Sequence, residues 1–125
     1  QWRIEMKVVL ALLFAIVFAP AAHAQKVGPN GGMIAGKGGH ETELVVTPTE
    51  LTVYIIDHGK AHSTKGVSLR AIVQQGGKST TVPLADVDNK KLVGKLESPL
   101  AAGAIVVVSG KDDHGDVLSA RYTIK

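Results

Sequence analysis

His58 and His62 stand four residues apart in the segment DHGKAHST, directly after Asp57. Imidazole nitrogens beside a carboxylate suit Zn(II), Cu(II), Ni(II) or Co(II). Such a site needs three or four side chains to converge. Two other histidines have the same chemistry: His40 precedes Glu41 and Glu43, and His114 lies inside the acidic run DDHGD from Asp112 to Asp116. The spacing nominates His58, His62, His40 and Asp57 as metal ligands, with His114 behind them. A backbone reading competes. Asp57-His58-Gly59 and Asp113-His114-Gly115 share an Asp-x-Gly pattern that hairpin turns select, with histidine in the exposed middle position. An H-x-x-x-H pair puts both rings on one face only in a helix, and Gly59 inside the pair argues against one. Asp112, Asp113 and Asp116 are also hard oxygen donors, but they lack the 12-residue loop and distant bidentate glutamate of a calcium hand.

The stretch GPNGGMIAGKGG, residues 28–39, invites a phosphate-loop reading because Gly31, Gly36 and Lys37 match G-x-x-x-x-G-K. Position 38 is glycine where a magnesium-holding Ser or Thr is required, and the next segment reads as a strand where a helix N-terminus must receive the phosphate. The expectation is therefore a tight turn at Pro29-Asn30-Gly31-Gly32, a short edge strand at Met33-Ile34-Ala35, and a second turn over Gly36 to Gly39.

Enzymatic signatures are missing. There is no G-x-S-x-G turn, no H-E-x-x-H helix, and no carboxylate pair framed by apolar residues, so the expected role is binding without catalysis. The chain has no cysteine, which excludes thiolate metal cages, thiol redox chemistry and disulfide support.

The elements that must position these residues read as short strands. Apolar residues recur at every second position in Leu51-Thr52-Val53-Tyr54-Ile55 and in Val67 to Val73, the period of a half-buried strand. Runs at 40–47, 51–57, 67–74, 79–84, 91–96, 104–109 and 117–124 alternate with turn clusters such as Gln75-Gly76-Gly77-Lys78 and Asp88-Asn89-Lys90. The continuous apolar run Ala104 to Val108 reads as a central strand covered on both faces. Seven strands in about 100 residues predict an all-β, antiparallel, immunoglobulin-like sandwich; a small β-barrel is the alternative. His40 alternates with Thr42, Leu44 and Val46, which places it on the core side at a strand end.

Near the start, Met6-Lys7 leads into an apolar run from Val8 to Ala19 and then the triplet Ala22-His23-Ala24, the order of a secretory signal peptide. The run is shorter than the roughly 20 residues of a membrane-spanning helix. Cleavage after Ala24 leaves 12 basic and 10 acidic residues, a net charge of +2, with Tyr54 and Tyr122 as the only aromatics. Scattered basic residues without interleaved aromatics make nucleic acid a poor partner. The expected organisation is upstream residues and signal peptide over 1–24, a mobile glycine-rich segment over 25–39, and one β-sandwich over 40–125. The expected location is periplasmic or secreted, with no membrane contact after cleavage.

The segments GPNGG, HETELVV, LTVYIIDHGK, KGVSLRAIV, GGKSTTVPL, NKKLVGKL and AGAIVVVSG together resemble small exported β-sandwich proteins found beside heavy-metal efflux systems. The front segment is similar to a stretch near the start of the periplasmic adaptor subunits of such pumps. The resemblance implies an accessory role near metal export with an efflux-system component as partner, and it carries no ligand residues with it. The expected function is thus an exported binding protein that takes a divalent transition metal through histidines. The alternative is a structural interaction module that pairs through strand edges and uses no metal.

Overall fold

A computed structural model describes residues 26–125; the expected signal peptide lies outside the described residues. Eleven strands follow in chain order: β1 (Lys26–Val27), β2 (Met33–Lys37), β3 (His40–Val46), β4 (Glu50–Asp57), β5 (Lys60–His62), β6 (Ser68–Gln75), β7 (Lys78–Pro83), β8 (Ala85–Val87), β9 (Lys91–Lys95), β10 (Ile105–Lys111) and β11 (Val117–Thr123). All seven strands expected from alternation are present, as β3, β4, β6, β7, β9, β10 and β11. They form two antiparallel sheets, one ordered β1-β2-β3-β4-β9-β8 with β5 added to β4, the other β11-β10-β6-β7. The sheets stack as a sandwich and do not close into a barrel.

Alternation explains the stacking. In β4 the inward residues Leu51, Val53 and Ile55 are buried, and in β11 so are Leu118, Ala120 and Tyr122. They meet Leu44 of β3, Ala71 and Val73 of β6, Leu92 of β9, and Val106 and Val108 of β10 in one core. Burial of each such aliphatic side chain contributes about 1.5–3 kcal/mol, and with no disulfide this core is the main source of stability. Tyr122 is fully buried. Its hydroxyl donates to the Thr42 carbonyl at 2.6 Å, which leaves the Thr42 hydroxyl to donate to the Tyr122 oxygen. This pair ties the last strand of one sheet to the third strand of the other. Burial pushes the Tyr122 hydroxyl far above its ordinary pKa, so it stays a neutral donor.

Two expectations change. β10 is central within its sheet, paired to β11 on one side and β6 on the other, but it is not covered on both faces: Val106 and Val108 are buried, whereas Ile105 and Val107 are only half-buried on the outer face. The sandwich also begins earlier than residue 40. The glycine-rich segment expected to be mobile supplies β1 and β2, with Met33 opposite Leu44 and Lys37 opposite His40 in register.

Candidate functional site

Three hairpins meet at one end of the sandwich. The β2–β3 hairpin turns through Gly38 and Gly39, both with positive φ (63° and 82°), so that Lys37 pairs with His40. The β4–β5 hairpin turns through His58 (φ 47°) and Gly59 (φ 81°), so that Asp57 pairs with Lys60. Both central residues of a two-residue hairpin of this kind need positive φ, which accounts for Asp-His-Gly at this point. The two turns are docked: the His58 amide donates to the Gly39 carbonyl at 2.8 Å. A β-carbon on Gly39 would lie 2.6 Å from His58 Nδ1, so the absent side chain makes room for the imidazole.

The third hairpin joins β10 to β11 in the opposite sheet. Asp112 is buried, and its Oδ1 accepts from the amides of His114 (2.9 Å) and Asp116 (2.8 Å). That carboxylate oxygen holds the DDHGD turn in shape. The other oxygen, Oδ2, is left facing His40.

These hairpins gather all four histidines of the described residues at one rim, each with an imidazole nitrogen within 4 Å of an aspartate oxygen. His40 Nδ1 is 3.9 Å from Asp57 Oδ1 and 3.9 Å from Asp112 Oδ2. His58 Nε2 is 3.5 Å from the same Asp57 oxygen, and the His40 and His58 rings are 5.9 Å apart between centres. His62 Nε2 is 3.3 Å from both oxygens of Asp113, and His114 Nε2 is 3.7 Å from Asp113 Oδ1. His40 and His62 are the inner pair, with side chains 39% and 31% exposed; His58 and His114 are the outer pair, at 75% and 68%.

The electrostatics of the two aspartates differ. Partial desolvation opposes ionisation of Asp113, but the His62 hydrogen bond and the charge of His114 outweigh it and hold its carboxyl below the ordinary range. Asp57 Oδ1 is closed off from solvent yet has no hydrogen-bond partner. A buried acceptor without a donor is costly, and the His58 and His40 nitrogens stand 3.5 and 3.9 Å from it.

The sequence-nominated set is therefore split. His40, Asp57 and His58 come together, while His62 turns to Asp113, 51 residues further along the chain. Asp112 and Asp113, noted from sequence only as hard oxygen donors at a turn, belong to this rim. Among the described residues no group of three His, Asp or Glu side chains stands in an arrangement ready to hold a metal ion. Pairwise, the separations are closer to the requirement: bonds of about 2.0–2.2 Å in a tetrahedron place neighbouring donor atoms roughly 3.3–3.6 Å apart. The space enclosed by His40, Asp57, His62, Asp112, Asp113 and His114 is only ≈ 10 Å³, about that of a single water. An organic ligand does not fit there.

The phosphate-loop spacing has a structural explanation of its own. Glu43 points to the outer face of its sheet but is fully buried, because the loop 28–32 folds over it. Its carboxylate accepts from the Asn30 amide (2.9 Å), the Gly32 amide (2.8 Å) and Asn30 Nδ2 (3.0 Å). The amides that a phosphate would need are already turned to an anion of the chain itself. Gly36 and Lys37 lie in β2, and a strand follows them.

No family model, no curated protein and no solved structure matches this chain.

Proposed function

We propose that this is an exported, non-enzymatic binding protein that captures a divalent transition metal, Zn(II), Cu(II), Ni(II) or Co(II), at the histidine-bearing rim of its sandwich. The observation that carries the reading is the convergence there of four imidazoles and three carboxylates from hairpins far apart in sequence. Turn chemistry accounts for His58 and His114 singly; it does not account for their meeting His40 and His62. Each of the four imidazoles faces a carboxylate. Capture requires these side chains to turn onto a common point, on a backbone held by paired strands.

Protons and metal compete for imidazole nitrogen, so affinity falls as the histidines protonate. A carrier built this way takes its ion at neutral pH and yields it in acid or to a stronger ligand set. The resemblance to exported proteins beside heavy-metal efflux systems supports an accessory role there, with handover to an efflux component as the step this protein serves.

The test is an amide-correlation NMR titration of tag-free protein with each metal ion. Saturable shifts at 37–40, 56–62 and 112–116 with micromolar or tighter affinity support the reading; weak, diffuse changes at exposed residues throughout the molecule overturn it.

A second reading rests on a different observation. The two large apolar side chains left exposed among the described residues, Val27 and Val117, lie on the edge strands β1 and β11. Open edges can accept a strand from another protein. An interaction module of this kind binds its partner equally well with and without metal, which a pull-down in the presence of a chelator distinguishes.

A further inference from the structure

The outer face of the second sheet collects one sign of charge. Arg70 of β6, Lys111 of β10 and Arg121 of β11 are exposed and lie at outward positions on three adjacent strands. They stand on successive rows of the sheet: Lys111 is opposite Ser68 and Val117, Ser109 is opposite Arg70 and Ser119, and Val107 is opposite Ile72 and Arg121. Half-buried Ile72, Ile105 and Val107 form the middle of the face, and Val117, 73% exposed, extends it at the Lys111 end. The other outward positions of β6, β7, β10 and β11 are Ser, Thr, Gln or Pro; none is Asp or Glu. Among the described residues none of the three cations makes an ion pair, since every such pair joins a histidine to an aspartate. The acids nearest in sequence belong to the β10–β11 turn, where Asp112 and Asp113 face histidines.

We propose that this face docks on the surface of an anionic lipid bilayer, lying flat with Arg70, Lys111 and Arg121 toward the headgroup phosphates and the aliphatic patch between them. The proposal goes beyond the metal reading and does not depend on it. Charge and area select the occupant. A second copy of the same face would set like charges against each other, with no acid on either side to pair them. Four strands about 4.8 Å apart, each rising about 3.4 Å per residue over about seven residues, make a face of roughly 450 Å². That is well below the roughly 800 Å² that each partner of a stable protein complex buries. The face also carries no aromatic side chain to serve as the anchor of a protein interface. A protein would need an acid opposite each of three separated cations, whereas a uniformly charged plane meets all of them at once. Each cation held near such a plane strengthens attachment about fivefold, and the three together roughly a hundredfold. The contact is peripheral and reversible. It departs from the expectation of no membrane contact because residues 70, 111 and 121 are scattered along the chain and become one patch only through the pairing of β6, β10 and β11.

Cosedimentation of the tag-free full chain at low salt, with vesicles of equal parts phosphatidylglycerol and phosphatidylcholine and with vesicles of phosphatidylcholine alone, tests the proposal. The expected result is roughly hundredfold tighter attachment to the anionic vesicles, lost as salt is raised. Arg70→Glu, Lys111→Glu and Arg121→Glu combined are expected to reduce attachment to the level of neutral lipid. All three side chains are exposed, so circular dichroism should show the fold retained. The single changes, each expected to weaken attachment about fivefold or more, keep the test open if the combined variant does not fold. Lys26→Glu, Lys60→Glu and Lys95→Glu combined make the same change in net charge at exposed positions of the other sheet and are expected to keep most of the attachment. Equal attachment to both kinds of vesicle overturns the proposal. Attachment weakened equally by either combined set also overturns it, because net charge alone then accounts for binding, and so does attachment that the face changes leave intact. No attachment to vesicles overturns it as well; shifts of the β6, β10 and β11 amide signals with poly-L-glutamate would then assign the face to an acidic protein.

Discussion

Gly28 lies against the buried carboxylate of Glu43 so closely that a β-carbon there would stand 2.2 Å from Glu43 Cδ. The N-terminal hairpin and the outer face of β3 are thereby locked through an anion with no cationic side chain among its hydrogen-bond partners. Glu43→Ala leaves the Asn30 and Gly32 amides and the Asn30 side chain without their acceptor. It is expected to cost about 3 kcal/mol, a fall in Tm of about 10 °C or more, measured by thermal denaturation. Glu43→Gln costs less, because the Asn30 amide can rotate to present its oxygen to the new NH₂ group. Gly28→Ala is expected to destabilise by about 2 kcal/mol or more, since the carboxylate has nowhere to retreat.

At the rim, Gly39→Ala tests whether glycine makes room for His58. The left-handed backbone at φ 82° costs an alanine about 1 kcal/mol, and the new methyl group pushes the His58 imidazole away from Asp57. Shifts of the His58 ring resonances, with those of His62 and His114 unchanged, are the expected NMR signature. Weaker Zn(II) binding at the rim is the expected functional one.

Tyr122→Phe removes the hydroxyl that accepts from Thr42 and donates to its carbonyl. The buried carbonyl and hydroxyl of Thr42 are then unpartnered, and the expected loss is about 1–3 kcal/mol by urea denaturation. Thr42→Val costs less because the carbonyl still receives the phenol. The folded pKa of Tyr122 is raised, so the stability linked to its neutral form is fully present below the unfolded value of about 10 and is lost as pH climbs above it. Ultraviolet titration should therefore show the Tyr122 phenolate only as the protein unfolds in alkali.

Asp113 gives the acid side. Its folded carboxyl is depressed below the ordinary 3.8, so its contribution is present above about pH 4 and lost as pH falls through the lower folded value. Asp113→Asn is expected to flatten this part of the stability profile below about pH 4. Urea midpoints across that range check it. The effect is small because the pair with His62 and His114 is partly open to solvent.

Metal removal is the last expected outcome. Apo-protein prepared with a chelator should retain its fold, because the core and the Glu43 lock lie away from the rim, yet saturating Zn(II) should raise Tm. The rise follows from binding to the native state alone, about 2.7 kcal/mol at a hundredfold excess over Kd. Equal melting temperatures with and without metal would contradict specific capture.

Strands β3, β4, β6, β7, β9, β10 and β11 were legible in the linear order of residues, because side-chain alternation and turn chemistry act over two to eight neighbours and need no distant partner. The Asp57-His58-Gly59 turn was legible for the same reason, as positive φ at both His58 and Gly59 is a local demand, whereas in the 113–115 turn Gly115 alone takes it. The short strands β1, β5 and β8 carry too few residues for a period to register, and they exist because a neighbouring strand offers its open edge. Which carboxylate each histidine faces is a matter of register and sheet stacking. His58 and His62 are close in sequence, but β5 turns back along β4 and delivers His62 to Asp113 in the other sheet, while His40, 18 positions upstream, meets Asp57 across a strand pair. Glu43 reads from sequence as an exposed position of an alternating strand; the loop that buries it arrives from residues 28–32. Local periodicity therefore settles the all-β class and the turns, whereas the site and the buried anion depend on contacts between segments that only chain folding brings within hydrogen-bond reach.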